Sequence, residues 1–213
     1  MEWNPDVINK WIAPGISEFT GANVPDLSGE FADAEHWVTN HFLNSVFRAG
    51  FKDRWRQVVV AYIRRAQNTV IEYAAARRAT CVYLDGNQPL NPRIAKYYDA
   101  VSKWENCLLQ ISMAIDLFKW LNQQEGAFEK GDGSKEQRLY SIANHVKHTS
   151  SCVESGQCEE IQSIPLWLTN DGLASYDMSV TFDEVAEVVR DIAKLAQEYR
   201  DPYSLKEQSN NAL

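Results

Sequence analysis

The sequence predicts an all-α protein, an antiparallel helical bundle of about five helices, two of them long, with an irregular loop before the last helix. Apolar residues recur at steps of three and four through several long segments, which is the spacing of one helix face. The alternation of apolar and polar residues that indicates strands is nearly absent. Of the 213 residues, 45% are hydrophobic and 23% are charged, so the chain can bury a core.

Glycine and proline punctuate the first thirty residues and predict an irregular N-terminal lead-in over residues 1–32. We expect its apolar side chains to dock it on the core, among them Trp3, Trp11 and Phe19. The bundle itself is expected over residues 33–205, and a frayed polar tail over residues 206–213.

Three helices are predicted in the first part of the bundle. They cover about residues 33–49, then 53–81 without any Gly or Pro, and then 92–122 after a turn at 85–89. The third helix has the clearest periodicity, because its apolar steps alternate between four and three along its whole length. That pattern predicts a long helix packed from end to end through Tyr97, Val101, Trp104, Leu108, Ile111, Ile115 and Phe118.

Two capping boxes predict the remaining helix starts. Ser134 with Gln137 opens a short helix that reaches about residue 148, and Thr181 with Glu184 opens the last helix, which reaches about residue 200. The stretch 150–179 between these helices is predicted to be irregular, with a short extended piece or a hairpin. Within it, Asn-Asp-Gly at 170–172 indicates a turn. This turn could be purely structural, or it could belong to a loop that shapes a site beside Arg138 and His145.

The charge of the chain is unevenly distributed. A net charge of −8, if uniform, would repel nucleic acids and anionic membranes. The segment from Arg48 to Arg78, however, holds eight basic residues against Asp53 and Glu72, a net charge of +6. Its arginines could line an RNA backbone or pair with the acidic ends of the chain, and the sequence leaves both interpretations open.

Several classes of protein do not fit the sequence. Residues 1–6 lack the basic and apolar regions of a signal peptide, and no window approaches 18 apolar residues, so we expect no membrane association. Four scattered cysteines predict reduced thiols in a cytoplasmic protein. No phosphate-binding glycine loop or metalloprotease motif is present, and we expect no cofactor.

The segment 138–148 is the densest group of chemically useful side chains. Arg138 and His145 lie about 20° apart around a helix axis, with Asn144, Lys147 and His148 close by in sequence. Arginine can hold a phosphate group through two nitrogens, and histidine can exchange a proton near neutral pH. Such a pair could cleave RNA without a metal ion. The alternative is an ordinary solvated helix face.

The spacing of Arg138 and His145 on a late helix resembles the signature of the HEPN superfamily, an Arg and a His separated by four to six residues. The segment Arg-Leu-Tyr-Ser-Ile-Ala-Asn-His-Val-Lys-His at 138–148, followed by Ile-Pro-Leu-Trp-Leu-Thr-Asn-Asp-Gly-Leu at 164–173, is similar to an uncharacterised bacterial branch of HEPN-like proteins. The resemblance covers roughly residues 93–200.

The resemblance implies a homodimer in which two Arg-His motifs face one another and form one composite site. Arg138 and His145 would be catalytic, and Asn144, Lys147 and His148 would help to bind the substrate. It implies RNA and an antitoxin protein as partners, in a toxin–antitoxin or phage-defence system. Many members are metal-independent endoribonucleases, whereas others are inactive modules that bind RNA, a nucleotide or a protein.

This sequence departs from the pattern of active HEPN enzymes in one respect and reaches its limit in another. Leu139 follows the arginine, where active members usually have a polar residue, and the six intervening residues are the upper limit of the spacing. The sequence therefore leaves two functions open, an endoribonuclease and a binding or dimerisation module.

A metal site is the third interpretation that we considered for this region. His145, His148, Cys152 and Cys158 lie within 14 residues, but their spacing does not match the paired ligands of structural zinc sites. We therefore predict no metal ion there.

Overall fold

The computed structural model describes residues 4–46, 53–86, 90–122, 125–156 and 164–200. In these ranges the chain is mostly helical. The helices are α1 (Pro5–Trp11), a 3₁₀ turn (Ala34–His36), α2 (Trp37–Val46), α3 (Asp53–Leu84), α4 (Leu90–Leu121), α5 (Lys135–Lys147), α6 (Thr149–Glu154) and α7 (Phe182–Arg200). The strands are β1 (Trp167–Leu168), β2 (Gly172–Ser175) and β3 (Met178–Thr181).

The two long helices, α3 and α4, form an antiparallel hairpin that is the centre of the fold. Trp104 Nε1 donates to Thr80 Oγ1 at 3.0 Å, and further along the hairpin an Arg65 nitrogen donates to Gln110 Oε1 at 3.0 Å. The residue number falls along α3 as it rises along α4, which is the antiparallel direction. The predicted long helices are confirmed, and six of the seven predicted apolar residues of α4 are buried.

Helices α5 and α7 begin where the two capping boxes predict. Ser134 Oγ accepts from the Gln137 amide at 3.2 Å, and Thr181 Oγ1 accepts from the Glu184 amide at 3.1 Å. Phe182, the first residue of α7, is buried with its ring centroid 5.4 Å from that of Trp104 on α4. The start of α7 is thus anchored on the α3–α4 hairpin.

The lead-in is more ordered than predicted, because it contains α1. Asn4 caps this helix by accepting from the Asp6 amide at 3.0 Å, and Pro5 occupies the first helical position. Phe19 is buried in the core as expected, whereas Trp11 is 60% exposed. Trp3 and the predicted tail at 206–213 lie outside the described residues.

The fold is mostly helical, as predicted, but it is not purely all-α, because a small antiparallel sheet in the order β1–β2–β3 lies between α6 and α7. Its strands have two to four residues, too short for a period of two to stand out in the sequence. In the register, Leu173 lies opposite both Leu168 and Val180, and all three are buried. The hairpin that the sequence allowed is present as β2–β3.

The Asn-Asp-Gly turn between β1 and β2 has a structural use. The Asn170 side chain accepts from the amides of Thr20 and Gly21 and donates to the Glu18 carbonyl, at 3.1, 3.2 and 3.2 Å. A Cβ atom on Gly172 would lie 1.9 Å from the Val180 carbonyl oxygen, so only glycine fits. This turn ties the lead-in to the sheet.

The arginines of the basic segment occupy several environments. Arg77 pairs with Asp26 of the lead-in at 3.1 Å and donates to the Val24 carbonyl, as the pairing interpretation predicts. Arg64 and Arg78 lie on the exposed face of α3. Arg48 and Lys52 fall outside the described residues. In the part of the chain that the structure describes, no helix is long and apolar enough to cross a membrane.

Candidate functional site

Helix α5 carries all five residues that the sequence singles out, counting His148 as its C-terminal cap. Leu139, Ile142 and Ala143 are buried, and they fix the orientation of the helix against the core. Its polar side contacts the β2–β3 hairpin and the start of α7.

Arg138, at the N-terminal end of α5, is held by three hydrogen bonds within the chain. Its guanidinium donates to the Gly133 carbonyl at 3.2 Å, to the Ser179 carbonyl of β3 at 2.7 Å and to Glu184 Oε1 at 2.5 Å. The side chains of Arg138 and Glu184 are each 29% exposed, so this ion pair is partly buried. Arg138 therefore joins α5, β3 and α7.

Glu184 uses both of its carboxylate oxygens. Oε1 accepts from Arg138, and Oε2 accepts from the Thr181 amide at 2.9 Å, which completes the capping box of α7. Burial alone would raise the pKa of this carboxyl, but the hydrogen bonds from Arg138 and Thr181 outweigh burial and hold the pKa below its ordinary value. The carboxylate thus stays charged and keeps Arg138 in place near neutral pH.

His145, two turns further along α5, is attached to the hairpin by a hydrogen bond to Ser175. Its Nδ1 lies 2.9 Å from the hydroxyl oxygen of Ser175, which is completely buried. Burial lowers the pKa of His145, and the negative charge of Asp177 opposes this shift only in part. The imidazole is therefore neutral at pH 7, with Nε2 as the nitrogen left for a ligand.

Three rings meet at the tip of the hairpin. The centroid of the Tyr176 ring lies 5.0 Å from that of His145 and 6.4 Å from that of Trp167, both in edge-to-face geometry. Tyr176 has a φ of +49°, a left-handed conformation that a bulky residue rarely adopts. Such backbone strain concentrates at functional sites and supports a role for this ring. We call His145, Trp167 and Tyr176 the ring cluster.

The C-terminal end of α5 is exposed. Lys147 and His148 are both solvent-exposed, and neither forms an ion pair with any described residue. The Lys147 ammonium lies 5.7 Å from the centre of the Tyr140 ring. Asn144 is half-buried, and its backbone carbonyl accepts from the His148 amide at the helix end. We call Asn144, Lys147 and His148 the α5 C-terminal end.

The structure separates the two residues predicted to be catalytic. Seven residues of α-helix place Arg138 and His145 about 10 Å apart along the axis, and each contacts a different part of the hairpin and α7. In this structure the two side chains therefore bond to different partners.

Sequence reasoning missed the residues that surround this helix. It did not identify Glu184 as the partner of Arg138, and it did not identify the neighbours of His145, which are Ser175, Tyr176 and Asp177. The signal available for Glu184 was its capping position, which says nothing about an arginine 46 residues earlier. For Ser175 and Tyr176 the sequence holds no clear signal, because β2 is nearly all buried and the turn at 176–177 lacks the glycine or asparagine typical of two-residue hairpin loops.

Among the described residues, no group of three or more histidine, cysteine or acidic side chains is arranged to hold a metal ion. Cys158, one of the four residues considered as ligands, lies outside the described ranges.

No protein family, curated protein or solved structure matches this chain.

Proposed function

We propose that the chain is a HEPN-like helical bundle that binds single-stranded RNA without cleaving it, at the ring cluster and the α5 C-terminal end. The observation that carries this proposal is the engagement of Arg138 in three hydrogen bonds within the chain. An arginine that must hold a phosphate in a cleavage reaction needs its fork of nitrogens free.

Releasing Arg138 would leave Glu184 as a half-buried carboxylate without its cation. Losing a hydrogen bond to a charged group costs about 1.5–3 kcal/mol, and the Ser179 and Gly133 carbonyls would lose their donor as well. Contacts between Arg138 and the RNA would have to offset the free energy of these hydrogen bonds in every catalytic complex. The position therefore favours a structural role for Arg138 over phosphate binding.

The rings and charges near the other end of α5 suit RNA. Unpaired bases stack on aromatic rings, and the ring cluster combines an imidazole, an indole and a phenol. Lys147 and His148 supply nitrogen atoms that can donate hydrogen bonds to phosphates, and the Asn144 amide can recognise a base edge by hydrogen bonding. The strained turn at Tyr176 holds one ring against His145 before any ligand arrives.

The proposal includes the partners that the resemblance implies. We propose a cytoplasmic homodimer in which two α5 C-terminal ends contribute to one RNA groove, with an antitoxin-like protein as a further partner. A dimer doubles the number of cations facing the RNA, which matters for a chain with a net charge of −8.

An endoribonuclease is the second candidate, and one observation favours it. His145 is neutral near pH 7, so it can accept a proton from a ribose hydroxyl. In that case Arg138 would have to leave Glu184 when RNA binds, or act across the dimer.

A binding experiment tests the RNA site. Fluorescence anisotropy with a labelled 12-nucleotide single-stranded RNA should show saturable binding in 50 mM salt. We expect the double variant Lys147→Ala, His148→Ala to bind about three- to tenfold more weakly and with a shallower dependence on salt. The matched control is Lys119→Ala, an exposed lysine near the end of α4, which should stay within about twofold of the original chain.

Equal losses in the control and the double variant would show non-specific attraction and reject the site. Tyr176→Gly sharpens the test, because glycine accepts the positive φ while removing the ring. We expect weaker RNA binding from this variant without loss of folding.

A cleavage experiment separates the two candidates. Total RNA incubated with the purified protein and a chelator should stay intact. If RNA is cut, and if folded Arg138→Lys and His145→Gln variants do not cut it, then the endoribonuclease is the function and our proposal is wrong.

A further inference from the structure

A second candidate site lies away from α5's C-terminal end, in a pocket between α3, α4 and α7. The pocket has a volume of about 140 Å³ and is lined mainly by apolar side chains, including Tyr62, Ala114, Phe118, Ala127, Val188 and Leu195. An apolar cavity of about this size holds one benzene-sized molecule.

The wall of the pocket offers little hydrogen bonding. The Tyr62 hydroxyl donates to the Ile192 carbonyl at 3.3 Å, and burial raises the pKa of this phenol far above its ordinary range, so the group stays protonated and bonded. The polar character of the pocket comes from its two acidic residues, Glu136 and Asp191.

These acids lie where the pocket meets solvent, because Asp191 is exposed and Glu136 is half-buried. Lys135 is the cation beside them, with its ammonium 2.9 Å from Glu187, 3.7 Å from Asp191 and 3.9 Å from Glu136. The hydrogen bond to Glu187 is the closest of the three. Three carboxylates thus share one ammonium, and the mouth of the pocket keeps a negative charge.

We propose that this pocket binds a small organic amine, with an apolar body of six to eight heavy atoms in the cavity and its ammonium group between Glu136 and Asp191. The cavity volume limits the body of the ligand, and the excess of carboxylates selects its charge. An anion of the same shape would meet repulsion at the mouth. This site is independent of the RNA site, since no residue is common to both.

Benzylamine is a suitable probe, and benzyl alcohol and benzoate are its neutral and anionic isosteres. We expect saturable NMR shifts of the amides of Ala114 and Val188 with benzylamine, at a dissociation constant in the millimolar range that suits so few atoms. Benzyl alcohol should bind about three- to tenfold more weakly, and benzoate more weakly still.

Two variants should change amine binding in opposite directions. Asp191→Asn should weaken benzylamine binding severalfold and leave benzyl alcohol unchanged, whereas Lys135→Gln should strengthen benzylamine binding because it removes the competing ammonium. Asp99→Asn, an exposed acid elsewhere on α4, is the matched control and should change neither.

Filling the cavity is a third test, with Ala127→Leu at the edge of the pocket and Ala114→Leu deeper inside it. At least one of these should fold, as judged by circular dichroism, and should lose both ligands. The proposal is overturned if no probe gives saturable shifts, if benzoate binds as well as benzylamine, or if a folded Ala127→Leu chain still binds. RNA binding should be the same in all of these variants, so a failure here leaves the RNA proposal standing.

Discussion

The two ends of α5 are built for different tasks, although they belong to one helix of 13 residues. At the N-terminal end, Arg138 is hydrogen-bonded to α7, β3 and its own capping loop, and its side chain is half-buried. At the C-terminal end, Lys147 and His148 are exposed, and His145 contacts the hairpin through a hydrogen bond to Ser175 and a ring contact with Tyr176. The spacing of an arginine and a histidine therefore does not identify a catalytic pair, because the partners of each residue decide what it can do.

The largest effect is expected where both ends of α5 rest on the hairpin. Gly172→Ala would place a Cβ atom 1.9 Å from the Val180 carbonyl oxygen, and backbone cannot give way as a flexible side chain can. We expect a loss of about 3 kcal/mol or more in the free energy of unfolding, or failure to fold. Urea unfolding at pH 7 measures it.

Gly29→Ala is the control for this substitution, since nothing lies within 4 Å of its added Cβ and its φ is negative. It should change stability by less than about 0.5 kcal/mol. A stable Gly172→Ala chain would mean that the backbone of the hairpin can shift to admit the Cβ atom. The hairpin would then not hold the two ends of α5 rigidly.

The second effect isolates the N-terminal end. Arg138→Ala should destabilise the chain by about 2 kcal/mol at pH 7, because it removes the partner of the Glu184 carboxylate. Arg64→Ala, an exposed arginine on α3, should cost less than about 0.5 kcal/mol. Equal stabilities of the two variants would contradict a structural role for Arg138.

The pH dependence gives an independent check. The pKa of Glu184 is lower in the folded chain than in the unfolded chain, so its contribution is present above the unfolded pKa, near 4.5, and is lost as the pH falls through the folded pKa. The stability difference between the original chain and Arg138→Ala should therefore shrink as the pH falls below about 4.5. A difference that stays constant down to pH 3 would mean that charge is not what holds Arg138.

Local signals in the sequence predicted more of this molecule than long-range ones. Ser134 and Thr181 mark helix starts through bonds to residues three positions away, and both predictions are confirmed. The periodicity of α4 identified its buried face because this pattern, too, links residues only three or four positions apart. Arg138 could be placed on a helix face, but its partners at 179 and 184 come from a strand and a helix that approach only in the folded chain.

The sequence allowed a hairpin in the stretch 150–179 but did not predict a three-stranded sheet, because the strands are stabilised by neighbouring elements and not by a pattern of their own. Strand β1 has two residues, and β2 is nearly all buried, so neither shows alternation. The positive φ of Tyr176 could not be predicted from a tyrosine, since few bulky residues adopt it. The ring cluster is therefore the part of the candidate site that only the structure provides.

The third effect concerns the hydrogen bond between His145 and Ser175. Ser175→Ala should cost about 1 kcal/mol, since it removes the only side-chain partner of Nδ1 that the described residues provide. The ¹⁵N chemical shifts of the ring should change at the same time, because the tautomer is no longer fixed. Ser179→Ala, an exposed serine of the same hairpin that bonds Arg138 through its carbonyl, is the control and should leave both measurements unchanged.

His145 should also make stability depend on pH, but for a different reason from Glu184. Burial disfavours the charged form of His145, whereas hydrogen bonds favour the charged form of Glu184. Burial lowers the folded pKa of His145 below the ordinary value near 6.5, so the unfolded chain takes up the proton first as the pH falls. Its contribution to stability is therefore present above about pH 6.5 and declines below it. Unfolding curves at pH 7.5 and 5.5 should show a larger decline for the original chain than for His145→Gln, and equal declines would contradict the burial of the ring.

The smallest effect is expected at the exposed end. Lys147 lies over the Tyr140 ring in solvent, an interaction worth about 0.5–1 kcal/mol at most, and it has no ion pair among the described residues. Lys147→Ala should therefore change the free energy of unfolding by less than about 0.5 kcal/mol, while it weakens RNA binding severalfold. Lys147→Arg keeps both the charge and the contact with the ring, and should restore binding. If Lys147→Ala instead destabilises the chain as much as Arg138→Ala does, the two ends of α5 share one structural task, and the exposed end is not a surface reserved for a ligand.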